Sequence, residues 1–142
     1  MKFTFGSSKK GDVTEALSGI SEPAALFFSV AGEEMLEHAA TEIEKRFPGV
    51  ACIGGVGQAY IDKQFFDQGI TVTAMRGEIK VVADVLEQAS VMPIKYIRRL
   101  ENAVKAVGGE RGRTACFDIC SAGCDVRAVT TLSNYLCRAG YD

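Results

Sequence analysis

A chain of 142 residues with 47% hydrophobic content and a net charge of −2 has the size and composition of one domain with a real core. The 16 basic residues are balanced by 18 acidic ones and form no block interleaved with aromatics, which excludes the electrostatic footprint of a nucleic-acid binder. Met1 to Lys10 contains no apolar leader segment, and no apolar run approaches the roughly 18 residues of a membrane-spanning helix, so the chain reads as cytoplasmic.

Asp12-Val13-Thr14-Glu15 pairs a capping carboxylate with a Glu three residues on, and Val13, Ala16, Leu17 and Ile20 recur at helical spacing, predicting a short capped helix. Pro23 breaks that pattern. Ala24 to Ala31 is then a continuous apolar run of strand length, as expected where both faces are covered. Glu33 and Glu34 suit the positive end of a helix whose stripe is Leu36, Ala40, Ile43 and Phe47, and Pro48-Gly49 ends it before a second buried strand, Val50 to Val56. Strand, helix and strand make a βαβ unit with parallel strands.

After Gly69, I-T-V-T-A-M alternates with the two-residue period of a strand, and Arg76-Gly77 reads as a turn into Glu78 to Val82, making a hairpin. Val82, Val85 and Leu86 also suit a helix. Pro93 sits at a first-turn position ahead of the stripe Ile97, Leu100, Val104 and Val107, which Gly108-Gly109 closes. Thr114 to Ile119 is a further strand candidate, and Val126, Val129, Leu132 and Leu136 form a last helix with Asp125 near its cap. The fold class expected is α/β: a three-layer-like mixed sheet with a βαβ core, a hairpin and flanking helices, in a single domain over residues 1–142. The stop at Asp142, directly after the last helix, is expected of a piece of a longer chain.

The run V-A-C-I-G-G-V-G ends in Gly54, Gly55 and Gly57, a loop of bare backbone that a polar ligand or another segment can approach. It is not a phosphate loop: the Walker Lys-Ser/Thr and the G-x-G-x-x-G spacing are both missing, and Gln58-Ala59-Tyr60 opens no amphipathic helix. A tight turn after a buried strand is the bland reading. Asp118, inside A-C-F-D-I-C beside Ser121, would cost several kcal/mol if buried alone, so an internal Lys or Arg, an edge position or a ligand ammonium group should satisfy it.

Five cysteines without a secretion signal imply reduced thiols. Cys116, Cys120 and Cys124 are each separated by three residues, the wrong gap for a zinc or iron–sulfur site, so no metal and no cofactor is expected. As strand neighbours, Cys116 and Cys120 are small hydrophobes on one face. Cys124, ahead of Asp125 at a helix N-terminus, is the better candidate for a reactive thiol. His38, the one histidine, falls on a polar helix side, where a surface residue is the simplest reading, and no catalytic residue is assigned.

The order A-L-F-F-S-V-A-G, E-M-L-E-H-A-A-T-E-I-E-K-R-F-P, V-A-C-I-G-G-V-G and G-I-T-V-T-A-M resembles the N-terminal part of the FIST domain, named for F-box and intracellular signal transduction proteins. The resemblance runs from about Ala24 to Gly77, with weaker support from Cys116 to Leu136. It implies a sensory module, without catalysis, that binds a small molecule such as an amino acid or small carboxylate. It also implies a bacterial signalling context of the methyl-accepting chemotaxis type, with a downstream signalling domain as partner. Family members often follow the glycine loop with Gly-Glu, where this chain has Gly57-Gln58. The candidate ligand-binding set is Ser29, Gly54, Gly55, Gln58, Asp118 and Ser121, at strand ends. A half-sized FIST region would also pair an edge strand with a second copy, as a homodimer. The alternative function is a thiol-based enzyme or redox-responsive domain using Cys120 or Cys124.

Overall fold

The computed structural model describes residues 1–57, 59–89, 91–117, 119–120 and 126–139, and the chain divides into two compact units, Met1–Val81 and Val82–Asp142. In the first unit, β1 (Lys2–Ser8), α1 (Val13–Leu17), β2 (Ala25–Val30), α2 (Leu36–Arg46), β3 (Ala51–Val56), β4 (Ala59–Ile61), β5 (Gln64–Phe66) and β6 (Ile70–Arg76) follow in order. A 3-10 turn over Glu33–Met35 leads into α2.

The main sheet has the order β1-β6-β2-β3, with β2 and β3 parallel and the other two ladders antiparallel. This is the βαβ unit expected from the two apolar runs. Strand period then assigns the faces. Leu26, Phe28 and Val30 of β2 and Ile70, Val72 and Ala74 of β6 are buried in one cluster with Val13, Ala16, Leu17 and Ile20 around α1 and Ala39 and Ile43 of α2. Each large side chain removed from water there contributes about 1.5–3 kcal/mol. Within α2 the buried residues are Ala39 and Ile43, whereas Ala40 of the expected stripe is exposed. At about 100° per residue, 39 and 43 fall about 60° and about 20° to one side of 36 and 40 about 40° to the other, so the buried stripe is centred towards 39 and 40 lies at its margin.

α1 begins as its sequence predicts: Asp12 Oδ1 accepts from the Glu15 amide at 3.1 Å. Its C-terminal half lies directly on β1, where a Cβ at Gly6 would come within 1.8 Å of the Ala16 carbonyl oxygen. Only glycine permits that approach.

The hairpin is not where the sequence suggested. β6 pairs with β1 on one side and β2 on the other, which leaves it no free ladder for Glu78–Val82. Those residues form neither strand nor helix, and Val82 and Val85 are exposed. The two-residue hairpin of this unit is β4–β5, turning through Asp62 and Lys63 at φ of 50° and 66°.

In the second unit a 3-10 turn, Pro93–Tyr96, leads into α3 (Ile97–Ala106), and α4 (Val126–Ala139) lies against that turn. Tyr135 donates to the Glu101 carboxylate, and Arg99 donates to both carboxylate oxygens of Asp84, from Nε at 2.9 Å to Oδ2. The Arg99 hydrogen bond holds the Asp84 carboxyl below its ordinary range. The strand expected over Thr114–Ile119 is not formed among its described residues; Phe117 and Ile119 are 72% and 52% exposed, so no buried face exists to favour it. No helix of the described residues is long and apolar enough to cross a membrane.

Candidate functional site at the strand ends

β1 runs antiparallel to β6, and β6 antiparallel to β2, so β1, β2 and β3 all run the same way. Ser8, Val30 and Val56 therefore finish at one end of the sheet, where β6 starts. Short hydrogen bonds tie the connecting segments together there. The Gly57 amide donates to the Val30 carbonyl at 2.9 Å and the Ala31 amide to the Gly69 carbonyl at 3.0 Å. Buried Ser8 accepts at Oγ from the Lys10 and Asp12 amides, at 3.3 and 3.1 Å, which sets the turn that carries Lys10.

These segments enclose a cleft of about 390 Å³ lined by Lys10, Gly11, Val13, Glu34, Met35, His38 and Gln68. Gly11 has φ of 77°, and a Cβ there would stand 2.3 Å from the Met35 methyl and 2.6 Å from the Gln68 carbonyl oxygen, so the loop closes on the cleft floor only with glycine. Val13 and Met35 supply an apolar floor, while the exposed Lys10, Glu34, His38 and Gln68 supply polar groups of both signs. Among the described residues no salt bridge engages Lys10 or Glu34. A cation, a carboxylate and an amide around one small volume match a compact polar molecule carrying both charges. Beside the cleft Lys9 pairs with Asp62 at 3.0 Å and stands 5.3 Å over the Phe66 ring, joining the β1 end to the hairpin.

The residues singled out from the sequence lie elsewhere. Ser29 and Gly55 are register partners on the sheet face away from α1 and α2. Gly54 pairs with Phe28 on the helix side, where a Cβ would meet the Phe28 ring at 2.3 Å. None of the three lines the cleft. Gln58, Asp118, Ser121 and Cys124 lie outside the described residues. Cys116, Cys120 and Cys137 are exposed, and Cys52 is half-buried against the core. Among the described residues no three His, Cys, Asp or Glu side chains gather as a metal site.

Sequence reasoning did not assemble Lys10, Glu34, His38 and Gln68. The spacing of Glu34 and His38, four apart across a helix start, carried a partial signal. Lys10 and Gln68 carried none, because long-range pairing of β1 with β6 brings them there.

The fold is thus α/β, and its first unit carries a mixed sheet with a polar cleft over the ends of the parallel strands. The FIST N domain matches residues 24–136, most of the chain, and the chain belongs to that family of sensory signal-transduction domains. No curated protein and no solved structure matches it.

Proposed function

We propose that the chain is a non-catalytic small-ligand-sensing module of a cytoplasmic bacterial signalling protein of the chemotaxis type, passing its state to a downstream signalling domain. The ligand is an amino acid or small carboxylate held over the strand ends. The observation that carries this reading is the cleft in which Lys10 and Glu34 face one small volume with no salt bridge of their own among the described residues. Lys10 takes the carboxylate, Glu34 an ammonium group, and Gln68 and His38 complete the polar wall. Membership of a sensory family supports the role.

The test is a thermal-shift screen of the folded chain against amino acids and small carboxylates, since binding only the native state raises the melting temperature by mass action. A hit that Lys10→Glu removes supports the cleft. A hit that Lys10→Glu keeps and Ser29→Val removes assigns the ligand instead to the face of Ser29 and Gly55, and a flat screen on folded protein contradicts the sensing role.

A further inference from the structure

We propose that β1 is a self-pairing edge: two copies of this chain join antiparallel through Lys2–Ser8 about a twofold axis at Phe5, forming one eight-stranded sheet. Among the described residues β1 has a ladder partner on one side only, and its seven consecutive pairs with β6 contain no bulge. Native edges are normally blunted by proline, bulges or repeated charge. Here Lys2 is the one charge and there is no proline.

The surface beside this edge is apolar. Paired residues share a face, so Phe3 and Phe5 stand with Thr73 and Met75 of β6, Phe27 of β2 and Ile53 of β3 on the side away from α1 and α2. Phe3 is 51% and Phe5 74% exposed, and their rings stack at 6.5 Å. No ionisable residue occupies any position of that face. An uncharged aromatic face continuous with an open edge fits a surface of its own kind better than a charged partner.

The register follows from the strand itself. Full overlap of Lys2–Ser8 with its copy sets Phe5 opposite Phe5, Phe3 opposite Ser7, Thr4 opposite Gly6 and Lys2 opposite Ser8 of the second copy. Every aromatic then stays on one side, a cross-strand aromatic pair forms on the axis, and no like charges meet. The opposite edge, β3, is the poorer choice because Gly54 and Gly55 leave two adjacent mid-strand positions without side chains to pack across a ladder. One strand edge with a pair of rings buries less than the roughly 1,200–2,000 Å² of stable complexes, so the dimer is concentration-dependent rather than obligate.

Sedimentation velocity of the full chain, from low to several hundred micromolar, tests this. The wild type shifts from monomer to dimer, and amides of Lys2–Ser8 gain hydrogen-exchange protection over the same range. Phe5→Lys sets two ammonium groups on the axis and restores the monomer, whereas Phe65→Lys, at a 64% exposed hairpin position, and Val56→Lys, on the β3 edge, leave dimerisation intact. A monomer at every concentration overturns the proposal, as does a dimer that Phe5→Lys preserves or Val56→Lys abolishes. The exchange measurement on unmodified protein decides the matter if Phe5→Lys fails to fold.

Discussion

The Phe28 ring lies against the bare Cα of Gly54, so close that a Cβ there would fall 2.3 Å from the nearest ring carbon. This glycine is explained by packing between β2 and β3. Gly54→Ala should therefore lower stability by about 1–3 kcal/mol, the usual cost of overpacking a core. Urea denaturation measures it, and trimming the ring with Phe28→Leu in the same chain should recover part of the loss. An unchanged midpoint for Gly54→Ala would mean that the ring does not occupy this position.

Burial, reinforced by the nearby Glu44 charge, pushes the Cys52 thiol up from 9.0 to about 11. Its thiolate is thus scarce at neutral pH, and a thiol reagent should modify Cys52 at least about tenfold more slowly than exposed Cys137. Peptide mass spectrometry over a labelling time course reads the two rates separately, and equal rates would contradict the burial of Cys52.

The same thiol predicts a pH effect on stability. Cys52 is an acid whose folded pKa is raised, so the unfolded chain loses its proton first. The native state binds more protons between pH 9.0 and about 11, and stability falls as pH rises through that window. Cys52→Ala should flatten this part of the profile in denaturation experiments at stepped pH.

Lys63 holds φ of 66° at the second position of the β4–β5 turn, a conformation that glycine adopts without strain. Lys63→Gly, which makes an Asp-Gly turn, should raise stability by about 1 kcal/mol. A drop in the melting temperature would argue against this hairpin.

The sequence was most legible where period and punctuation agreed. Pro23 and Gly32 bracket β2, Pro48-Gly49 separates α2 from β3, and Asp12 caps α1, so these elements stand where local physics puts them. β1 went unread although Phe3-Thr4-Phe5 alternates, since three residues of alternation before a glycine carry little weight until β6 offers a ladder. The assignment of Glu78–Val82 to a hairpin failed for the converse reason: its strand propensity was adequate, but both sides of β6 were taken. Of the glycine run read as a loop, only Gly57 lies past the end of β3; Gly54 and Gly55 are strand residues paired with Phe28 and Ser29, and the bare backbone of Gly54 lets the Phe28 ring pack close. The cleft at that end of the sheet was set by side chains from segments 24 or more residues apart in sequence, Lys10, Glu34 and Gln68, which no local pattern joins.

The most direct measurement of the ligand-sensing account is calorimetric titration of the full chain with the tightest-binding amino acid of the panel, which carries both charges, compared with Lys10→Glu, Glu34→Lys and the double charge swap. Each single change should weaken binding at least about tenfold, and the double should recover part of the loss because the two charges act on one ligand. Saturable binding left unchanged by all three variants would contradict the cleft as the site.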